Sequence, residues 1–447
     1  MADIVSEQLA TPVAATYDVI VAGGGASGLI AALAAARLGA RTLLLERQGC
    51  LGGTATTAYV AQYVGFYNGD TQAVWGLPYE LVQRVVAAGG SEGFGKYMMA
   101  EAAANPVTIT HFPFNPEIVK VVADELVEEA RVDLLLHAQV VAPVQEGRAV
   151  KGVIVESIGG RKAYLARAVI DATGDAVLAH KAGAELLEPG RARQPNTLCF
   201  RLSNVDVARF RALTREDKRR RVLQGLERGE LFWQSVSFVS TPAGTDAICL
   251  MSRITGKDSL DDADASEQEL IGRRQIKSIV GFLNREMPGF EKAILASIAP
   301  RVGIRETRRV LGQYTLTEQD ILGSRRFEDA IALGCGPMDV HDPNGTGIAL
   351  SMPPAPFEIP MRCLVPKDLE GLIVTGRAMS ATQEANGGAR HMATAMALGQ
   401  AAGVMAAVAV DRANSTQAIP AGIVRDALRG QGAVLSVEDC RAYAAAQ

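Results

Sequence analysis

Two sets of residues in this chain have the types and spacing that chemistry requires. The first is Gly23-Gly24-Gly25-Ala26-Ser27-Gly28, which spells G-x-G-x-x-G. Gly23 permits a tight turn, Gly25 lets the backbone approach a pyrophosphate, and Gly28 lets a helix pack closely on a strand. Amide N–H groups at the start of that helix favour the same anion. Glu46, further along, is placed to accept hydrogen bonds from ribose hydroxyls, so the set reads as a dinucleotide site. The second set could hold and deprotonate an oxygenated substrate. Arginine forks grip carboxylates with two parallel bonds, which singles out Arg390 and the RETRR run with Arg305 and Arg308. His391 follows Arg390 directly, and His341 stands between Asp339 and Asp342; imidazoles titrating near neutrality suit proton transfer. RETRR reads equally well as an ion-paired helix, and 341–345 as a surface turn. His111, His137 and His180 read as structural: the first precedes an FPF run, the second sits in a strand, the third ends a helix.

The elements that must position these groups follow from local pattern. Residues 17–22 (YDVIVA) form a β-branched run of strand length. The glycine turn and an alanine-rich helix follow, ending at Gly39, and 41–46 (RTLLLE) supplies a second, fully apolar strand expected in a parallel sheet. A Gly/Tyr/Phe-rich lid-like segment spans 52–69, with a helix over 77–88. Asn115-Pro116 is a cap-then-proline helix start, and 133–144 with 150–157 are strands around a turn at Glu146-Gly147. From about Pro189 the pattern changes to antiparallel strands and a long amphipathic helix to Glu286, with a capping box at Ser266 and Glu269. The expected fold class is α/β. A Rossmann-like three-layer dinucleotide domain with a parallel sheet would be built from residues 1–188 and 361–447. An inserted α+β substrate domain with antiparallel strands would occupy 189–360.

The glycine unit alone does not separate FAD from NAD, because both present an adenosine diphosphate half. Further segments decide: ERQGCLGGTATT (46–57), AVIDATGDA (168–176), RETRRVLGQY (305–314) and the stretch 358–403 containing GLIVTGRAMS and NGGARHMATAMALGQAAG. Together with the glycine turn, this ordered set resembles the FAD-dependent oxidoreductases of the glutathione-reductase structural class, in the branch related to succinate dehydrogenase and fumarate reductase flavoproteins. The resemblance implies that Glu46 and Arg47 flank the adenosine ribose and that Gly53 and Thr54 lie near the pyrophosphate or flavin. It implies that Ala172, Thr173, Gly174 and Asp175 close over the dinucleotide. Gly376, Arg377 and the 390–403 segment with Ala395 would reach the ribityl chain and isoalloxazine; Ala26, Ser27 and Val140 complete the expected cofactor contacts. A helix starting near His391 would point its positive end at an anionic reduced flavin. Many such relatives carry an acid where this chain has Arg377. No histidine sits where covalent attachment is compelled, so the expected FAD is non-covalent.

Composition narrows the partners. With 45 basic and 49 acidic residues the formal charge is −4, and no basic extension is visible, which argues against a flavin-bound RNA-modification protein or any nucleic-acid partner. Six cysteines without a CxxC pair disfavour a dithiol relay, a zinc site and a disulfide framework. No second G-x-G-x-x-G lies between 60 and 370, so substrate is expected to reduce the flavin directly. The opening residues carry no signal or transit pattern, and 393–410 reads as a buried helix rather than a membrane span, so the expected location is cytoplasmic. The resulting expectation is an FAD-dependent dehydrogenase or oxidase taking hydride from a small oxygenated or amino-bearing metabolite, with His391, Arg390, His341 and Arg305 at the active site. An electron acceptor of unspecified kind completes the cycle, and a homo-oligomer is compatible with the sequence. The alternative runs the chemistry backwards, reducing an activated C=C bond with Arg305 or His341 as proton donor.

Overall fold

The computed structural model describes residues 5–99, 106–189, 192–412 and 415–440. The first four and last seven residues of the expected two-part dinucleotide domain lie outside them, as does the 190–191 pair near the expected boundary.

The strand Val13–Ala22 carries a run from Val19 to Ala22 buried on both faces, as befits the middle of a covered sheet. It lies parallel between Thr42–Leu45 and Gly160–Asp171, with Val21 opposite both Leu44 and Ile170. Asp133–Leu135 extends the parallel ladder on one side, and Leu372–Val374 pairs with the end of Gly160–Asp171 on the other. The first half of Gly160–Asp171 instead pairs antiparallel with Ala149–Ser157, which pairs antiparallel with Gln139–Glu146. The sheet is therefore mixed, where the sequence suggested a parallel one. The reason is connection length: turns of a few residues at 147–148 and 158–159 can join only antiparallel neighbours, because a parallel crossover needs a dozen or more.

One face of the sheet is covered by Ala26–Arg37 and by Met392–Asp411, whose side chains share one core with Val19, Val21 and Ile170. The two helices touch backbone to backbone. A Cβ at Gly399 would stand 2.1 Å from Ser27 O, and one at Gly403 2.2 Å from Ala31 O. Met392–Asp411 is long and apolar enough to span a membrane, yet it is almost wholly buried within the fold.

A second core draws on Leu198, Phe200, Cys249, Ile279, Phe282 and Val302. It packs the four-stranded antiparallel sheet of Phe200–Ser203, Phe238–Val239, Ala247–Cys249 and Ile294–Ile298 against the long helix Asp262–Glu286. Leu316, Ile331, Phe357 and Ile359 belong to the main core instead. The 189–360 division drawn from the sequence thus does not coincide with the division of the cores. The capping box at Ser266 and Glu269 does not form. Asp261 caps the helix by accepting from the Asp264 amide, while Ser266 bonds back to Asp262 O and Glu269 accepts from the Val302 amide. The acidic run 261–264 offers an earlier start that the helix dipole also favours.

RETRR is not helical. The Arg305 amide donates to Asn196 Oδ1 and Arg309 O accepts from the Leu187 amide, while Gly303 pairs with Thr197 and Val310 with Ala378 on either side, so the backbone bonds a helix would need go elsewhere and the segment has no regular structure. Arg305 and Arg308 therefore share no helix face. His137 lies between strands in the left-handed region at φ 54°, not within one, and His111 sits inside Val107–Pro113 rather than before it.

Candidate active site

A cleft of about 360 Å³ runs between the glycine turn and the second core. At one end the turn is braced by Glu46, whose two carboxylate oxygens accept from the Gly24 and Gln48 amides at 2.7 and 2.8 Å. Gly25 faces Gly53 so closely that a Cβ on Gly53 would lie 2.7 Å from Gly25 Cα, and Gly53 itself has φ +54°. Gly23, Gly25, Ala26, Ser27, Arg47, Thr54 and Val140 line the same stretch. Gly28 does not; its hydrogen faces Gly23 O, where a Cβ would come within 1.8 Å. Ser27 Oγ and Thr375 Oγ1 meet at 2.9 Å, tying the turn to the late strand.

Ala172, Thr173, Gly174 and Asp175 form the opposite wall with Gly376. Buried Asp171 shapes this turn by accepting from Thr173 and from the Leu178 and Ala179 amides; burial nevertheless raises its pKa. Arg377 pairs with Asp175 and donates to Ile304 O at 2.8 Å. Burial pushes the Asp175 carboxyl up, but Arg377 and the Thr307 hydroxyl outweigh it and hold the pKa below the ordinary value. Arg377 is thus neutralised by Asp175. Arg301, also in the cleft, has no hydrogen bond or ion pair from its guanidinium among the described residues.

The other end gathers Arg305, Arg390, His341, His391 and Asp339. Met338–His341 is a strand, so His341 lies buried rather than on a surface turn. Its Nδ1 is 3.1 Å from Arg253 NH1. A guanidinium only donates, so Nδ1 accepts and the neutral ring carries its hydrogen on Nε2, 3.1 Å from Asp339 Oδ1. Nδ1 is thereby taken, and Nε2 faces the Asp339 carboxylate. Burial first, then the Arg305 charge, lowers the His341 pKa to about 4, against a weaker pull upward from Asp339. Arg253 itself is spent on Gly345 O, Asp342 O and Gly347 O and stacks 5.2 Å from Trp233.

His391 differs. It precedes Met392–Asp411 as the N-cap residue, and its Nε2 lies 2.8 Å from Pro337 O, an acceptor only, so Nε2 bears the hydrogen. Nδ1 keeps a lone pair with no protein partner among the described residues, and burial lowers the ring's pKa so that this lone pair is available at neutral pH. Gly336 makes room for the ring, since a Cβ there would meet His391 Cδ2 at 2.1 Å. Beside it, Arg390 donates to Asp339 O at 2.9 Å, and its buried Nε is unpaired. Arg305 donates one amino group to Pro195 O and Thr197 Oγ1. Burial, with Arg390 adding to it, lowers the Arg305 pKa to about 10. Ala395 and Met392 close the cleft at the helix start.

Gln194, Glu306 and Gln383 support this end and were not legible as site residues. Gln194 Oε1 accepts from the His341 amide, and Glu306 accepts from Gln194 and from Gln383. Trp233 and Arg253 lie in the 198–302 stretch that builds the second core, with no local motif to mark them.

Two buried histidines make an acid prediction. His111, bonded to Gln62 at 2.8 Å, and His341 both have pKa values lowered to about 4 from 6.5, chiefly by burial. The unfolded chain therefore takes up these protons first. Stability is complete above the unfolded value of 6.5 and is lost as pH falls toward about 4, by about 2–3 kcal/mol per ring at most. Thermal midpoints should fall across that window, and His111→Gln should flatten part of the slope. A midpoint constant from pH 7 to 4.5 would contradict this.

The cleft can now be set beside known proteins. A trypanosomal dihydrolipoyl dehydrogenase from Trypanosoma brucei brucei is 51% identical over 43 residues, which is 10% of this chain and 9% of that protein. A digeranylgeranylglycerophospholipid reductase from Methanoculleus marisnigri is 28% identical over 200 residues, 43% of this chain and 47% of the relative. The chain thus spans less than half the length of these curated relatives. Among solved structures, a geranylgeranyl bacteriochlorophyll reductase-like protein from Thermoplasma acidophilum matches with a TM-score of 0.47 at 15% identity, covering 95% of this chain and 89% of that one. The FAD dependent oxidoreductase family model matches residues 18–428, from the first strand of the sheet to beyond the His391 helix. The chain belongs to that family and is an FAD-dependent oxidoreductase, an enzyme whose cofactor is FAD.

Proposed function

We propose that this enzyme oxidises a small metabolite bearing a hydroxyl or amino group beside a carboxylate, with His391 as proton acceptor and Arg390 and Arg305 as the carboxylate holders. The observation that carries the reading is the open Nδ1 lone pair of His391 beside two incompletely paired guanidiniums in one cleft. The residues suit FAD. Gly25 and Gly53 leave a space that any side chain would fill, and unpaired Arg301 awaits an anion. Gly23, Gly25, Ala26, Ser27, Glu46, Arg47, Gly53 and Thr54 would hold the adenosine diphosphate half. Thr173, Gly174, Gly376 and Ala395 would hold the rest, with Asp175 and Arg377 as a paired wall. Bound there without a covalent link, FAD supplies the hydride acceptor.

The protein's own work is orientation and proton removal. Arg390 and Arg305 fix the carboxylate, which aims the adjacent C–H bond. His391 Nδ1 takes the O–H or N–H proton as the hydride leaves, while Pro337 O holds the ring in place. His341, its Nδ1 on Arg253 and its Nε2 facing Asp339, keeps these two side chains in register. The segments at 46–57, 168–176 and 358–403 support a place near the succinate dehydrogenase and fumarate reductase branch of the glutathione-reductase class.

A second reading, reduction of an activated C=C bond with Arg305 as proton donor, draws on Arg305 lining the same cleft as Arg390 and His391. The name of the Methanoculleus relative, a reductase, lends it further support. Anaerobic titration of the yellow holoenzyme with hydroxy acids, amino acids and amines tests the choice. Bleaching near about 450 nm by a carboxylate-bearing compound is expected. No bleaching by any of them, with reoxidation of dithionite-reduced enzyme by an unsaturated acid, would turn the assignment to the reductase.

A further inference from the structure

Arg301 lies where the chain leaves the second core, its amide donating to Thr57 O at 3.2 Å. Among the described residues its guanidinium has no hydrogen-bond or ion-pair partner. The nearest carboxylates are engaged elsewhere: Glu46 with the Gly24 and Gln48 amides, Asp175 with Thr307 and Arg377. Arg47 and Arg377 bring two further positive charges close enough, after burial itself, to depress the Arg301 pKa to about 10. A half-buried cation held among like charges is unfavourable unless something anionic completes the set.

The neighbourhood says which anion. The Arg301 amide bonds Thr57 O, and Thr57 Oγ1 donates to Gly53 O at 2.8 Å, against the Gly25 turn; Arg305 instead bonds Pro195 O and Thr197 Oγ1. Arg301 therefore serves the glycine-turn half of the cleft and not the substrate half. We propose that Arg301 is a diphosphate-binding residue, reaching from the second core to clamp the FAD pyrophosphate that the Gly25 turn holds from the other core. The glycine turn offers N–H dipoles; Arg301 adds a full charge with a planar fork. Because the clamp comes from the second core, cofactor binding also fastens that core to the sheet.

The test uses Arg301→Gln and Arg301→Lys, with FAD release from holoenzyme followed by recovery of flavin fluorescence, ADP binding to the deflavoprotein by calorimetry, and thermal unfolding of the deflavoprotein. Arg301→Gln should speed FAD release and weaken ADP by about 10- to 100-fold, with Lys recovering part of the loss. The deflavoprotein variant should unfold no earlier than the parent, because an unanswered charge has been removed. FAD release and ADP affinity within twofold of the parent would overturn the proposal. So would an earlier-unfolding deflavoprotein, which would make Arg301 a packing residue, or a raised substrate KM with FAD release unchanged.

Discussion

His391→Gln is expected to slow substrate-dependent flavin reduction by about 10²- to 10⁴-fold while FAD remains bound. The glutamine amide can still reach Pro337 O and fill the space beside Gly336, but it offers no basic lone pair where Nδ1 stood. No side-chain cap is lost, because His391 makes none for the helix it precedes. Stopped-flow reduction under anaerobic conditions separates this step from reoxidation. In the parent enzyme the rate should hold through neutral pH and fall only below the ordinary histidine value, since burial lowers the ring's pKa. The variant should lose that limb of the profile. A variant that reduces its flavin within about threefold of the parent, with the same pH dependence, would put the base elsewhere.

Gly399→Val should be the most damaging substitution for the fold. Its Cβ would stand 2.1 Å from Ser27 O, a backbone atom of the helix that carries the glycine turn, so neither side can yield by turning a side chain. Separating the two helices strips the apolar faces that Leu29, Ile30, Met396 and Leu398 share, and a loss above about 4 kcal/mol follows. Because Ser27 and Thr375 also hold the turn, purified variant should be colourless as well as unstable. Gly422→Ala is the contrast: space is open there and the residue is helical, so it should be neutral or slightly stabilising. Equal flavin content and melting temperature in Gly399→Val and parent would show that the helices tolerate separation.

What could be read from the chain was what is encoded locally. The strand, glycine turn and alanine-rich helix of 17–38 carry their signal in adjacent residues, as do Asn115-Pro116 and the apolar run before Asp411. The errors arose where distant partners decide. RETRR has helix-forming residues, but Asn196 accepts from the Arg305 amide, the Leu187 amide donates to Arg309 O, and Thr197, Glu185 and Ala378 hold the residues on either side. Ser266 and Glu269 satisfy a capping pattern, yet Asp261 lies one turn earlier and takes the role. His341 looked like a free base between two acids until Arg253, far away in sequence, was found on its Nδ1. Arg301 had no pattern at all, since an unpaired guanidinium is defined by what surrounds it in space.

The seam between Ala26–Arg37 and Met392–Asp411 also bears on how the protein is made. A ribosome finishes the whole glycine motif within the first tenth of the chain, but the helix that buries it, and Thr375 that ties it down, emerge hundreds of residues later. Until then the apolar flank of the first helix is uncovered; the opening strand waits for its neighbour Gly160–Asp171, and that strand in turn waits for Leu372–Val374. Such long-range closure makes folding slow and leaves the nascent chain prone to association, so chaperone shelter would matter most during that interval. The cofactor meets a finished cradle only near the end of synthesis, which makes flavin loading a late event and a checkpoint on whether the chain has folded at all.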